Sequence, residues 1–199
     1  MRSTPDSDPV LLSVAAYSND PDAYAARYAE HRRELPERFT ALFAQPSRIL
    51  DVGCGPGRDL RLFAEAGHSP IGIELNPDFI KMAEPHGEVI AGDIRRLGDF
   101  FVPNSFDGVW AQASLVHLSH EETRQVLSDI TSLLVPGGHM YVCVPVSGET
   151  GWREEEDGMR WYATWPDDSF VESVISAGFT IHDVVHGPYV EVWATNEKK

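Results

Sequence analysis

The sequence predicts an α/β fold: a seven-stranded, mostly parallel sheet with helices on both faces, ending in an antiparallel hairpin. Apolar strand-like runs alternate with helical patterns five times between residues 49 and 144, which makes successive strands parallel. The first run (Ile49, Leu50, Val52) turns through Gly53, Gly55 and Gly57 into a helical pattern at Leu60, Leu62, Phe63 and Ala64. Two further β-rich runs, 179–186 and 189–195, are joined by Gly187-Pro188 and pair as the hairpin.

Composition sets bounds on this fold. The 199 residues suffice for one well-buried domain and are too few for two of ordinary size. Acidic residues outnumber basic ones by 31 to 16, a net charge of −15. That field repels phosphate backbones and anionic bilayers, so no nucleic-acid partner and no membrane partner is expected. Arg27, Arg32, Arg33 and Arg38 are interleaved with acids and read as a solvated helix face. Cys54 and Cys143 have no metal spacing and form no disulfide framework, so they read as buried free thiols and no metal site is expected. No apolar run approaches the roughly 20 residues of a membrane helix, and the first residues lack a basic-then-apolar leader pattern. The expectation is a cytoplasmic monomer or homodimer. Residues 1–15 are expected as a flexible tail and 16–199 as a single domain.

In order, Asp20-Pro21 offers an N-cap and a first-turn proline for a helix carrying Tyr24 and Tyr28 on one face. A second helix follows from about Pro36, with Leu35, Phe39, Leu42 and Phe43 apolar. After the glycine corner, Gly67 ends the next helix, and 69–75 forms a strand closing on Glu74 and Leu75. Asn76-Pro77 starts another helix, and 89–94 is a strand with Asp93 near its end. Phe106–Ala111 is the fourth strand. Ser119 and Glu122 form a capping box for a helix with Val126, Leu127, Ile130, Leu133 and Leu134 inward. Pro136-Gly137-Gly138 stops it before the strand 139–144, and Pro166-Asp167 opens a last helix.

The glycine corner reads Asp51-x-Gly53-x-Gly55-x-Gly57. The dinucleotide pattern would need glycine or alanine where Arg58 stands. Together with Glu74, Asp93 and Pro136-Gly137-Gly138 at their intervals, the corner resembles that of the class I methyltransferases that use S-adenosylmethionine (SAM). The resemblance spans residues 20–195 and is closest to small stand-alone bacterial enzymes. It implies a Rossmann-like sheet of order 3-2-1-4-5-7-6, SAM as cofactor, and methyl transfer to oxygen or nitrogen of a small-molecule acceptor. By position it assigns Asp51, Gly53, Cys54, Gly55 and Gly57 to the methionyl and ribose turn, and Glu74 with Leu75 to the ribose hydroxyls. Asp93 and Ile94 go to the adenine, and Ala111 and Gln112 border the methionine. It also implies that the helices of 16–46 cover the cofactor, bringing Tyr28 to it and Tyr24 to the substrate; helix-to-core packing is the other reading of these tyrosines.

Three further features carry chemistry. His117, past the fourth strand, titrates nearest neutral pH and reads as a general base or substrate-orienting group, or as a neutral histidine that packs beneath the cofactor or bonds to backbone. Arg58 opposes the helix dipole at a helix start, so a carboxylate should compensate it: that of SAM's methionyl end, the acceptor or Asp59; a surface arginine is the other reading. The segment 146–165 holds Trp152, Arg153, Arg160 and Trp161 among glycines. It reads as a substrate-covering loop, or as a β-ribbon whose aromatics cover the core. Two other functions stay open at this point: a nicotinamide-dependent oxidoreductase, which lacks its third glycine and substrate domain here, and a non-catalytic SAM-binding protein.

Overall fold

The computed structural model describes residues 8–197. Its strands are β1 (Arg48–Val52), β2 (Ser69–Glu74), β3 (Glu88–Ala91), β4 (Phe106–Gln112), β5 (Leu134–Pro145), β6 (Gly151–Glu155), β7 (Gly158–Tyr162), β8 (Phe179–Val185) and β9 (Tyr189–Asn196). The helices are α1 (Pro9–Ala16), α2 (Pro21–Tyr28), α3 (Glu34–Thr40), α4 (Arg58–Glu65), α5 (Pro77–Ala83), α6 (Leu97–Phe100), α7 (His120–Leu133) and α8 (Asp167–Ser176). Seven strands form one sheet in the order β3-β2-β1-β4-β5-β9-β8. Counting only these strands, that is the expected 3-2-1-4-5-7-6. β1 to β5 pair in parallel, and β9 pairs antiparallel with both β5 and β8.

Both faces of the sheet are covered, which is why its central strands read as continuous apolar runs rather than alternating ones. Successive residues of β1 show this: Leu50 and Val52 join the larger core with Val126, Ile130 and Phe170 from α7 and α8. Ile49 points the other way, into a cluster of Leu35, Phe39, Phe63, Trp110, Tyr141 and Trp193. Helix starts follow their capping chemistry. The Asn76 side chain accepts the N–H groups of Asp78 and Phe79, and Ser119 and Glu122 close a reciprocal capping box. Gly67, at φ 88°, takes the left-handed position that stops α4.

One expectation needs correction. The flexible tail does not extend through residue 15. Asp8 caps α1 by accepting the Val10 N–H, Pro9 sits at N1, and Val10, Ser13 and Ala16 are buried; residues 1–7 lie outside the described residues. Of the two readings of 146–165, the β-ribbon is the one the fold adopts: β6 and β7 pair through five registered positions as a separate ribbon. That ribbon is fastened to α1, where Ser13 Oγ accepts the Trp161 N–H at 2.8 Å. Among the described residues no helix is long and apolar enough to cross a membrane.

Phe39 ties α3 to the back of the sheet: it is fully buried and its ring meets those of Phe43, Phe63, Trp110 and Trp193. Phe39→Ala should therefore cost about 3–5 kcal/mol of unfolding free energy, read as a lower urea midpoint. A loss below about 1 kcal/mol would mean that α3 is not part of the cooperative core.

Candidate functional site

The strand order reverses between β1 and β4, and the site opens at the carboxyl ends of these strands. Beyond Val52 the chain passes through Gly53, Gly55 and Gly57 at φ 68°, 55° and 86°, left-handed conformations that strain any residue with a Cβ. Their surroundings differ. A Cβ on Gly53 would stand 2.7 Å from Ser114 Cβ, and one on Gly57 2.7 Å from Ala83 Cα. At Gly55 it would meet nothing within 4 Å. Gly53 and Gly57 thus let the chain pack against itself, whereas Gly55 presents bare backbone to open space.

That space is a cleft of two chambers. The inner one, about 130 Å³, is lined by Glu74, Leu75, Asp93, Ile94, Phe79 and His117, with Val10, Val14 and Tyr17 as a roof. The outer one, about 460 Å³, is bounded by Asp51, Cys54, Arg58 and Tyr28 and, from the ribbon, Arg153, Arg160 and Tyr162. Tyr17, Tyr24, Gly53, Gly55, Gln112 and Ala113 border both.

Four expected site residues line neither chamber. Gly57 packs beneath α5 as described. Ala111 points into the core on the Val109 face of β4, since side chains alternate along a strand and Gln112 takes the cleft side. Trp152 is 45% exposed on the ribbon. Trp161 pairs with it across the two strands and contributes only backbone groups to the site.

The carboxylates are held differently. Asp51 is almost wholly buried, and its Oδ2 has no hydrogen-bond partner among the described residues. Burial and then the nearby Asp59 raise its pKa well above the usual carboxylate range. Glu74 is fixed by three backbone N–H donors: Gly55 to Oε2 at 2.9 Å, and Leu75 and Asn76 to Oε1 at 2.8 Å each. Burial still raises its pKa against these donors. Asp93 is gripped by Arg95, whose Nη2 lies 2.6 Å from Oδ2.

Arg58 is fully committed to the protein. Nε and Nη2 pair with the two Asp59 oxygens at 2.7 Å each, Nη1 donates to the carbonyls of Tyr28 and His31, and Nη2 also donates to Gln112 Oε1 at 2.9 Å. All five of its donors are therefore satisfied. Of the carboxylates that could compensate it, Asp59 does so, and the surface reading fails because Arg58 is largely buried.

His117 takes its packing alternative rather than the role of a base. Its Nδ1 lies 2.6 Å from the Trp161 carbonyl, which can only accept, so Nδ1 carries the proton. Nε2 then accepts from the Tyr17 hydroxyl at 2.9 Å. Burial lowers the His117 pKa to about 4, so the ring is neutral near pH 7 and both nitrogens are occupied.

Tyr17, Cys143 and Tyr189 also border the cleft and were not expected there, while Ala113 lies in the stretch past the fourth strand where the pocket mouth is expected. Ala113 adopts φ 51°, and its N–H lies 3.2 Å from Cys143 Sγ. No residue type in the sequence signals that conformation, since alanine rarely adopts it. Tyr17 had a readable signal: Asp8-Pro9 opens α1 with the same cap-and-proline pattern as Asp20-Pro21.

Residues 49–138 match the family model described as "Methyltransferase domain". A trans-aconitate 2-methyltransferase of Streptomyces avermitilis is 31% identical over 146 residues, covering 67% of this chain and 53% of that protein. An 18S rRNA (guanine-N(7))-methyltransferase of Mus musculus is 39% identical over 90 residues, or 42% of this chain and 32% of that protein. This chain spans about a third to a half of the length of such curated relatives. Among solved structures, the Burkholderia thailandensis 1,6-didemethyltoxoflavin-N1-methyltransferase, with bound 1,6-didemethyltoxoflavin and S-adenosylhomocysteine, superposes with a TM-score of 0.75. It is 23% identical and covers 98% of this chain and 91% of that one. Residues 49–138 thus match a methyltransferase-domain model, and the fold of the chain is the class I fold seen in the solved SAM-dependent methyltransferases it resembles.

Two outcomes test this geometry. Gly55→Ala should leave a folded protein with a Cβ protruding into the cleft and a strain cost of about 1 kcal/mol. Gly57→Ala adds a backbone clash and should lose about 2–4 kcal/mol in urea titration. Equal losses would refute the division of roles. His117 is protonated below about pH 6.5 when unfolded but only near pH 4 when folded. The unfolded state therefore binds more protons between these values, and stability falls as pH drops through the window. The difference in Tm between wild type and His117→Gln should shrink on acidification from pH 7 to 4, by up to about 3 kcal/mol in stability; a constant difference would contradict a neutral, buried ring.

Proposed function

We propose that this chain binds SAM across the two chambers and transfers its methyl group to oxygen or nitrogen of a small molecule, giving S-adenosylhomocysteine. The observation that carries the reading is the pairing of a buried, unpartnered Asp51 Oδ2 with the open backbone of Gly55 at the mouth of a helix-roofed cleft. A carboxylate oxygen without a donor calls for a cationic or hydrogen-bonding ligand, and the methionyl ammonium and sulfonium of SAM supply both charges. The remaining groups suit the rest of that molecule. Glu74 is fixed by its N–H donors and faces the inner chamber, which fits the ribose diol. Asp93 and Ile94 border the same chamber, where an adenine amino group and ring nitrogen need partners.

When bound, SAM supplies an electrophilic methyl that an acceptor lone pair displaces in line. The chain's part is to orient the acceptor and exclude water, through the roof of α1 and α2 and the ribbon beyond. With both ring nitrogens engaged, His117 is not available as a base for the acceptor. Three of the outer-chamber arginines have their own carboxylates: Arg32 with Glu191, Arg58 with Asp59 and Arg160 with Asp157. Among the described residues Arg153 has none, and it donates through Nη2 to Ser147 O, Glu149 O and Thr164 Oγ1. Arg153 and the tyrosines around it are our candidate acceptor contacts.

Some relatives act on ribosomal RNA. The net charge of −15 and a roofed chamber favour a small acceptor over a polyanion here. A non-catalytic SAM-binding protein would keep the cofactor contacts and turn over nothing.

Calorimetry should show S-adenosylhomocysteine binding, weakened by about 1–3 kcal/mol in Glu74→Ala, roughly 5- to 150-fold in Kd. No binding to the wild type would remove the cofactor reading, and unchanged affinity in the variant would remove Glu74 from the site. A screen with methyl-labelled SAM against small phenols, amines and carboxylic acids should find a methylated product, whereas labelling of RNA alone would overturn the small-molecule assignment.

A further inference from the structure

Resting on the cofactor reading above, we propose that Arg95 is a positioning residue that couples recognition of the cofactor's base to closure of the α1 roof. Its guanidinium joins three elements. Nε lies 3.0 and 2.9 Å from the two Asp93 oxygens and Nη2 lies 2.6 Å from Oδ2, while the Arg95 backbone N–H donates to Oδ1 at 2.9 Å. The third nitrogen, Nη1, reaches Asp8 Oδ2 at 2.8 Å and Glu122 Oε1 at 3.2 Å. Asp8 caps α1, holding the Val10 N–H with its other oxygen at 2.9 Å. Glu122 closes the capping box of α7, where its Oε2 accepts the Ser119 N–H at 2.8 Å.

This arrangement is more than a surface ion pair. The side chains of Arg95, Asp8 and Asp93 are only 20%, 22% and 19% exposed, so solvent screens them weakly. Three carboxylates converge on one guanidinium, and without it they would repel one another. A bidentate arginine also stops the Asp93 carboxylate from rotating, which holds its orientation toward the inner chamber it lines. α1 has eight residues, too few to persist by its own hydrogen bonds, so its place depends on such anchors. It supplies Val10 and Val14 to the roof of that chamber. A base that bonds Asp93 stabilises the orientation Arg95 holds, and Arg95 in turn holds the cap of the roof. Such coupling is reciprocal: closure must favour the base as much as the base favours closure.

The test uses the full chain with two probes, S-adenosylhomocysteine and S-inosylhomocysteine, which lacks the exocyclic amino group. Wild type should bind the adenine form at least tenfold more tightly and slow amide exchange over residues 9–16 when it does. Arg95→Met should bring the two affinities within about threefold of each other and abolish that slowing. Arg95→Lys, which keeps the charge but not the two-pronged grip, should do the same and serves if the Met variant does not fold. Asp8→Asn keeps a competent cap and should retain base discrimination while losing the ligand-induced slowing. An unchanged ratio in both Arg95 variants, or undiminished slowing in Asp8→Asn, overturns the coupling while leaving the cofactor reading intact. Failure of the wild type to bind either probe overturns both.

Discussion

The site is built around one saturated guanidinium. Arg58 stands where the α4 dipole disfavours a cation, and the bidentate Asp59 carboxylate beside it offsets that cost. Asp59 also accepts the indole N–H of the buried Trp110 at 2.9 Å, which anchors the start of α4 to β4. The other Arg58 donors hold the chain just past α2 through the Tyr28 and His31 carbonyls, and the end of β4 through Gln112. One side chain thus fixes the glycine corner, the second helix of the roof and the lip of the neighbouring strand relative to one another. Both chambers of the cleft depend on that fixed relation.

The other wall is assembled from parts distant in sequence. α1 and the β6–β7 ribbon are each too small to be stable alone, and they meet through Ser13 and Trp161, 148 positions apart. His117 is packed between them, donating to the Trp161 carbonyl and accepting from Tyr17. Its burial at this junction makes it a poor base at neutral pH, so the same desolvation that builds the wall takes proton transfer away from it. The Arg160 guanidinium lies 3.7 Å from the Tyr17 ring centroid and extends the contact between ribbon and roof.

Legibility followed the range of the interactions. Caps and stop glycines are local, and they were readable: Asn76-Pro77, Ser119 with Glu122, and Gly67 sit where their chemistry demands. The same chemistry at Asp8-Pro9 passed for a tail because its surroundings are short and rich in turn-formers. Ala111 was misassigned by one residue of strand parity, which is enough to turn a side chain from cleft to core. The ribbon aromatics were legible as a cluster but not as a direction: Arg153 and Arg160 face the outer chamber while Trp152 stays on the surface.

By itself the sequence determined the alternation of strands and helices and the glycine corner, because each rests on backbone conformations and spacings written into neighbouring residues; the sheet order and the roles of the two acids beyond the corner came only through the resemblance. Only the tertiary structure decided which polar groups are already spent and which stay open. Arg58 and His117 look reactive in isolation and are saturated in the fold, whereas Asp51 looks like one more strand-end acid and is left with a bare oxygen. Arg95 looks like an ordinary arginine and holds three acids from three separate elements. The physical reason is that hydrogen-bond satisfaction is a property of all the groups that converge on a point, and those groups come from segments as much as 148 residues apart.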